Sequence, residues 1–167
     1  WSATDDEDRE PLFGALARCL HEVCDYGAER GVVVALQNHN NRNLAATGPD
    51  VLRIREEVDH ANFSLVVDTG QWRGAHGAFG DMDPNVDIYA YIEQTLPFAS
   101  YVRCKIYQIA SGREEILDYA RIGRLLRAVD YNGCISIVYE GDDEEDRPVS
   151  IAKAAAHLRD VFAGESS

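Results

Sequence analysis

The chain is poor in basic residues, with 16 lysines and arginines against 29 aspartates and glutamates, for a formal net charge of −13 over 167 residues. Nucleic-acid binding depends on a basic surface that neutralises phosphates and releases counterions, so this balance argues against a nucleic-acid partner. The sequence also lacks an apolar run approaching the roughly 20 residues of a membrane span. We therefore expect neither a nucleic-acid nor a membrane partner.

Cysteines are few, and their spacing matches neither a CxxC pair nor a set of zinc ligands. They are Cys19, Cys24, Cys104 and Cys134. Cys104 and Cys134 fall inside apolar runs, so we expect buried, reduced thiols and a reducing compartment, the cytoplasm. The chain begins at Trp1, and its first residues are typical of the end of a strand that leads into a helix. We expect it to be the back part of a longer protein.

Four short apolar runs, separated by roughly 30 residues that include a helical pattern, dominate what is present. They cover 32–37, 64–68, 101–106 and 134–140. Helices are predicted from a capping box at 4–7 to Gly31, over about 49–58, 86–96 and 119–129, and after the acidic run 142–146. Alternating strands and helices of this spacing are typical of βα units in a parallel sheet.

Polar residues end these runs, and in parallel α/β folds ligands bind at the carboxyl ends of the strands. Strand residues alternate between faces, so Val102 and Cys104 are predicted to face the helices while Arg103 and Lys105 face a barrel interior or a cleft. The same test selects residues from the other runs. They are Gln37, His39, Asp68 and Glu140.

Each of these residues also has a structural interpretation. Arg103 and Lys105 would pair with Asp68 or Glu140, His39 would cap a helix, and Asp68 would form a turn. Convergence of polar groups from four strands on one rim nevertheless favours a binding site. The long Gly-rich loop 69–84 is predicted to contact a ligand, with Trp72 closing over it.

The motifs at the four strand ends resemble those of the sugar phosphate isomerase/epimerase family, whose members have a xylose isomerase-like TIM barrel. The motifs span 36–40, 67–72, 102–105 and 131–141. The resemblance implies an α/β fold, the (β/α)₈ barrel, of which residues 1–167 would supply the last four βα units. Since such a barrel needs about 250 residues, we expect the front half-barrel as a partner, with a homo-oligomer of half-barrels as the less favoured alternative.

In that family the motifs supply a divalent metal site of glutamate, aspartate, histidine and glutamate. The resemblance places Gln37, Asp68, Arg103 and Val138 at those positions, with Gln71 where a further histidine is common. Only Asp68 is retained as a metal ligand. Arginine has no free lone pair, and its guanidinium can fork onto a carboxylate and occupy a cation's place. We expect Arg103 to replace the metal; the alternative is a shifted manganese, magnesium, cobalt or zinc site.

Three functions remain open at this level. The first is an isomerase or epimerase of a sugar or polyol, with Glu140 transferring the proton and Lys105 as an electrophile or as a contact to phosphate and hydroxyl groups. His39, Trp72, Arg103 and Gln37 would bind substrate. The second is a catalytically degenerate, metal-free barrel that binds a sugar-like molecule without turnover. The third is a lyase or hydrolase on the same scaffold, because a fold alone does not fix the chemistry.

Overall fold

A parallel four-stranded sheet lies at the centre of the structure, and its strand order follows the chain. The computed structural model describes residues 9–40, 43–76, 82–141 and 146–164. The strands are β1 (Val34–Gln37), β2 (Phe63–Asp68), β3 (Ala99–Ile106) and β4 (Cys134–Tyr139). The helices are α1 (Glu10–Ala28), α2 (Gly48–Val58), α3 (Ile88–Thr95), α4 (Tyr119–Ala128) and α5 (Arg147–Ala163), with a 3₁₀ turn over Leu96–Phe98. The predicted α/β repeat is confirmed.

The first strand begins two residues later than predicted. The backbone N–H of Val32 donates to the carbonyl of Gly27 at 2.9 Å, and Gly31 has the left-handed φ of +65° that this helix ending requires. Sheet pairing starts only at Val34, whose N–H donates to the carbonyl of Asn62 at 3.1 Å. Val32 and Val33 therefore lie outside the sheet and are exposed.

The third helix is shorter than predicted at both ends. Asp87 caps it by accepting a hydrogen bond from the backbone N–H of Tyr89 at 3.1 Å, so the helix starts at Ile88. Pro97 lies within the 3₁₀ turn that leads directly into β3. The predicted capping box at 4–7 and most of the acidic run 142–146 lie outside the described residues.

The helices cover the apolar face of the sheet. The alternation predicted for the third run is confirmed, because Val102, Cys104 and Ile106 are fully buried. They join a core that also contains Ile54, Ile92, Ile122 and Leu158 from the helices. On α5 the buried positions are Ser150, Ala154 and Leu158, whereas Ile151 is 45% exposed.

The cysteine prediction is half right. Cys104 is buried in β3, but Cys134 is exposed. Cys134 is the first residue of β4, an edge strand of the described sheet, and Ile135 beside it is exposed as well. An edge position, which an apolar run does not reveal, accounts for the error. No helix in the described part of the chain has the length and hydropathy to cross a membrane.

A bulge shifts the pairing of β2 with β3. Leu65 pairs with Ala99, but Val66 pairs with Tyr101, which leaves Ser100 as an extra residue. The hydroxyl of Ser64 fills the gap: it donates to the carbonyl of Phe98 at 3.2 Å and accepts from the N–H of Ser100 at 3.1 Å. Beyond the bulge, Asp68 pairs with Arg103.

One buried carboxylate organises the loop between β3 and α4. Glu114 accepts four backbone hydrogen bonds of 2.9–3.3 Å. The donors are the N–H groups of Tyr107, Gln108, Ile116 and Leu117. Only 8% of Glu114 is exposed, so the four amides share one buried acceptor.

We predict that Glu114→Ala lowers the free energy of unfolding by about 2–4 kcal/mol, because it leaves these amides without an acceptor. Urea unfolding measures the change. Glu115→Ala is the matched control, since Glu115 is exposed and its substitution is expected to cost under about 0.5 kcal/mol. Equal costs for the two variants would contradict the assignment.

Candidate active site

Five polar side chains meet at the carboxyl end of the sheet, on the face away from the helices. Gln37 ends β1, Asp68 ends β2, Arg103 and Lys105 lie near the end of β3, and Glu140 directly follows β4. The pairing of Asp68 with Arg103 puts these two side chains on one face. The structure thus brings together five of the seven site residues predicted from the sequence.

Arg103, Gln37 and Asp68 form one hydrogen-bonded row. Arg103 Nη1 donates to Gln37 Oε1 at 2.6 Å, and Gln37 Nε2 donates to Asp68 Oδ2 at 3.3 Å. Arg103 Nε lies 3.8 Å from the same Oδ2, within ion-pair range but too far for a hydrogen bond. The guanidinium therefore does not fork onto Asp68 as the sequence suggested; its direct partner is Gln37.

The Lys105 ammonium lies between the two carboxylates. Its Nζ forms an ion pair with Glu140 Oε1 and is 4.0 Å from Asp68 Oδ2. Only 3% of the Lys105 side chain is exposed, and Asp68 is fully buried, whereas Glu140 is 43% exposed. Among the described residues, Lys105 is thus the cation that lies within ion-pair range of both carboxylates.

Asn38 fixes Asp68 in place, a role that sequence reasoning missed. The Asn38 side chain donates to the carbonyls of Asp68 and Gln71, each at 2.9 Å, and accepts from the N–H of Asp68 at 2.7 Å. Asn38 directly follows the first apolar run, and strand alternation does not predict its long-range partners. The residue type is the one available signal, since an asparagine side chain both donates and accepts hydrogen bonds and can therefore bridge two backbone segments.

A second row of groups supports Lys105 from behind. Tyr119 Oη donates to the carbonyl of Lys105 at 2.6 Å, and the N–H of Lys105 donates to Thr69 Oγ1 at 2.9 Å. Gly70 packs so closely that a Cβ there would lie 2.8 Å from Lys105 Cγ. Tyr107 Oη donates to the carbonyl of Gly70 at 3.3 Å. These contacts hold the β2 and β3 ends at a fixed separation.

Burial dominates the electrostatics of Asp68. It raises the pKa of this carboxyl to about 6, although Lys105, the Gly70 N–H and Arg103 all favour the ionised form. The negative charge of Glu140 raises the pKa further. A carboxyl with a pKa near neutrality is able to exchange protons at physiological pH, which is a property of catalytic acids and bases.

The other two predicted site residues lie apart from this cluster. His39 is exposed, and its Nδ1 lies within hydrogen-bond distance of Asn43 Nδ2 (3.2 Å) and of the Asn40 carbonyl (3.3 Å). Trp72 is fully buried, with its ring centroid 5.7 Å from that of Tyr91. Much of the long loop around Trp72 is described, but residues 77–81 lie outside the described ranges. Among the described residues, no hydrogen bond or ion pair joins either side chain to the five-residue cluster.

The divalent metal site implied by the family resemblance does not fit these residues. Asp68 Oδ1 accepts from the Gly70 N–H at 3.1 Å, Asp68 Oδ2 and Gln37 Oε1 accept from side-chain N–H groups, and Glu140 Oε1 is paired with Lys105. A divalent ion about 4 Å from the Lys105 ammonium would be repelled by about 8 kcal/mol at an effective dielectric constant of about 20. The positive charge beside these carboxylates therefore comes from the side chains of Lys105 and Arg103.

A separate group of His21, Asp25 and His60 brings one ligand atom from each side chain within 4.8 Å of the others. It involves α1 and the loop entering β2, at the opposite end of the sheet from the cluster. His60 Nδ1 accepts from the Asn62 N–H at 2.9 Å, which leaves the proton of a neutral ring on Nε2, 3.2 Å from Asp25 Oδ1. In this arrangement His60 is a hydrogen-bond donor to Asp25.

Comparisons with known proteins point in one direction. The family model described as "Xylose isomerase-like TIM barrel" matches residues 2–161. No curated protein matches the chain.

Solved structures similar to this one include sugar epimerases. One is an apo 3-keto-D-glucoside 4-epimerase from E. coli, with a TM-score of 0.70 and 19% identity over 93% of this chain and 56% of that one. Another is the D-psicose 3-epimerase of Clostridium cellulolyticum H10 with D-tagatose, with a TM-score of 0.71 and 18% identity over 97% and 61%. A probable 3-DHS dehydratase from Bacillus anthracis has a TM-score of 0.66 and 20% identity over 96% and 60%. The chain thus spans less than two thirds of their length, and the likeness shows the fold.

The raised pKa of Asp68 predicts a pH-dependent stability. A carboxyl whose pKa is higher in the folded than in the unfolded chain stabilises the fold below its unfolded pKa of about 4, and this contribution is lost as the pH rises through about 6. Relative to Asp68→Asn, the native protein should lose roughly 2–3 kcal/mol of unfolding free energy between pH 4 and pH 7. Urea unfolding at several pH values measures this difference. A difference that stays constant with pH would show that the pKa of Asp68 is not raised.

Proposed function

Because the chain belongs to the xylose isomerase-like TIM barrel family, we propose that it acts as a sugar isomerase or epimerase, moving a proton between adjacent carbons of a sugar or related polyol. The observation that carries this proposal is the convergence of two carboxylates and two cationic side chains at one end of a parallel sheet. The sugar epimerases among the similar structures support the same class of substrate. The activity would be that of a complete barrel, with a front half-barrel as partner of these residues.

Glu140 is the proposed proton-transfer group. Its carboxylate is 43% exposed, so a bound polyol can reach it, and the Lys105 ion pair fixes its position. When a carboxylate removes a proton from a carbon beside a carbonyl, the electron pair moves into an enediolate. Return of this proton to the neighbouring carbon, with transfer of the hydroxyl proton to the former carbonyl oxygen, completes an isomerisation. Lys105 and Arg103 supply positive charge near the developing oxyanion.

Arg103 and Gln37 are the proposed contacts to substrate hydroxyl groups, since both side chains lie at the accessible part of the cluster. His39 remains a proposed contact at the exposed rim. For Trp72, which is buried, we propose that any effect on the ligand acts through the packing of its loop. We further propose that the site works without a divalent metal, because its ligand oxygens already accept from protein N–H groups.

One observation favours a second candidate, a barrel that binds a sugar without turnover. The Lys105 ammonium already engages Glu140, so the carboxylate that would have to take up the substrate proton is occupied by a cation of the protein. Three of the four positions that the resemblance assigns to metal ligands hold Gln37, Arg103 and Val138. Both candidates predict sugar binding, and they differ in proton exchange.

Proton exchange is the direct test of turnover. In deuterated water the full-length protein is expected to introduce deuterium beside the carbonyl of its sugar, as followed by NMR across a panel of ketoses and aldoses. Glu140→Gln should slow this exchange by a factor of about 100 or more, because it removes the base. Glu93→Gln, on the exposed surface of α3, is the matched control and should leave the rate unchanged.

The outcomes separate the two candidates. Sugar binding without deuterium incorporation would establish the binding-only function and refute the isomerase. Exchange at the native rate in Glu140→Gln would refute the assignment of this residue as the base. Absence of binding across the whole panel would refute both candidates.

The same exchange assay tests the proposal of metal independence. Protein dialysed against EDTA should retain its rate, and addition of one equivalent of Mn²⁺, Co²⁺, Zn²⁺ or Mg²⁺ should change it by less than about twofold, since the cationic charge is supplied by the chain. Elemental analysis of the dialysed sample verifies that metal was removed. A rise of tenfold or more with any of these ions would show that a metal takes part.

A further inference from the structure

The cluster at the carboxyl end of the sheet has a buried and an accessible layer. Asp68 and Lys105 form the buried layer, with side-chain exposures of 0% and 3%. Arg103 and Glu140 form the accessible layer, at 31% and 43%. Of these four side chains, a ligand therefore meets the guanidinium and one carboxylate first, and reaches the ammonium only behind them.

The Arg103 guanidinium has donors to spare. Its Nη1 is used by Gln37 at 2.6 Å, while its Nε stays 3.8 Å from Asp68 Oδ2. Among the described residues, Arg103 Nη2 makes no hydrogen bond. Asp68 Oδ2 is in turn shared with Gln37 and Lys105, so it serves as a counter-ion to Arg103 only at a distance.

We propose that the ligand of this site is a sugar acid, a polyol that carries a carboxylate, and that Arg103 recognises this carboxylate. The inference rests on the proposed function, because it names the class of sugar on which the site acts. Two adjacent N–H donors of a guanidinium match the two oxygens of a carboxylate in a bidentate pair. The hydroxyl groups of the same molecule are the natural donors to Glu140.

The charges of the site favour a carboxylate over a phosphate. A phosphate monoester carries close to two negative charges at neutral pH, so one available guanidinium would neutralise only about half of its charge. Here the second cation, Lys105, is already paired with Glu140, and both carboxylates would repel a dianion. A neutral sugar, in turn, would leave the guanidinium without a counter-ion in direct contact.

Binding measurements on the full-length protein test the inference. The probes are hexuronates, each compared by calorimetry with the hexose and the hexose 6-phosphate of the same configuration, so that the three differ only at C6. The hexuronate is expected to bind at least tenfold more tightly than either companion. Arg103→Met should weaken hexuronate binding on the order of 10- to 100-fold, and should weaken hexose binding less, by about three- to fivefold, because there it removes only a hydroxyl contact.

Two further variants separate charge from geometry. Arg103→Lys keeps the charge but loses the fork, and should recover only part of the hexuronate affinity. Arg121→Met removes an arginine that pairs with Asp87 on the outer surface of α3 and α4, and should leave all affinities unchanged. Circular dichroism confirms that each variant is folded.

The result that overturns the inference is distinct from one that overturns the proposed function. Equal binding of hexose and hexuronate, insensitive to Arg103→Met, would refute the carboxylate and leave a sugar site standing. Tighter binding of the phosphate would also refute it. Failure of every sugar to bind would refute the proposed function and this inference together.

Discussion

Burial of the Asp68 carboxylate is the constraint on which the rest of the site depends. A fully buried carboxylate is costly unless donors surround it, and each neighbour can be understood as a response to it. Asn38 ties its backbone to β1, Gly70 donates to one oxygen, and Gln37 donates to the other. The ammonium of Lys105 then offsets the charge from a distance of 4.0 Å.

The same constraint explains why cationic side chains suit this position. A metal ion would need the lone pairs of Asp68 and a second carboxylate, and here both carboxylates already face protein N–H groups. An ammonium and a guanidinium give positive charge that is fixed by packing, with Tyr119 and Thr69 holding the backbone of Lys105. Charge supplied in this way is independent of metal supply, but it is also less able to polarise a carbonyl oxygen than a divalent ion would be.

Strand alternation was enough to predict the polar face of the sheet, because the charged residues of β3 alternate with buried apolar ones. It was not enough to predict which of those residues is buried and which is accessible. Lys105 and Arg103 look equivalent in the sequence, yet one is buried between carboxylates and the other is accessible and bonded to Gln37. Trp72 and His39 were selected by residue type and loop position, and neither property reports burial. Asn38 was overlooked because its importance arises from a contact with β2, thirty residues away.

The bulge at Ser100 determines which of the two alternating sets of β3 side chains lies beside Asp68. Without the extra residue, Asp68 would pair with Val102, and the polar and apolar positions of β3 would exchange partners along the sheet. The side chain of Ser64 donates to the carbonyl of Phe98 and accepts from the N–H of Ser100, and so stabilises this register. A serine far from the proposed reacting groups thus helps to set the register of the site. Regular pairing without the bulge would leave the strand-end motifs intact in the sequence, but it would place Val102 beside Asp68 where Arg103 now lies.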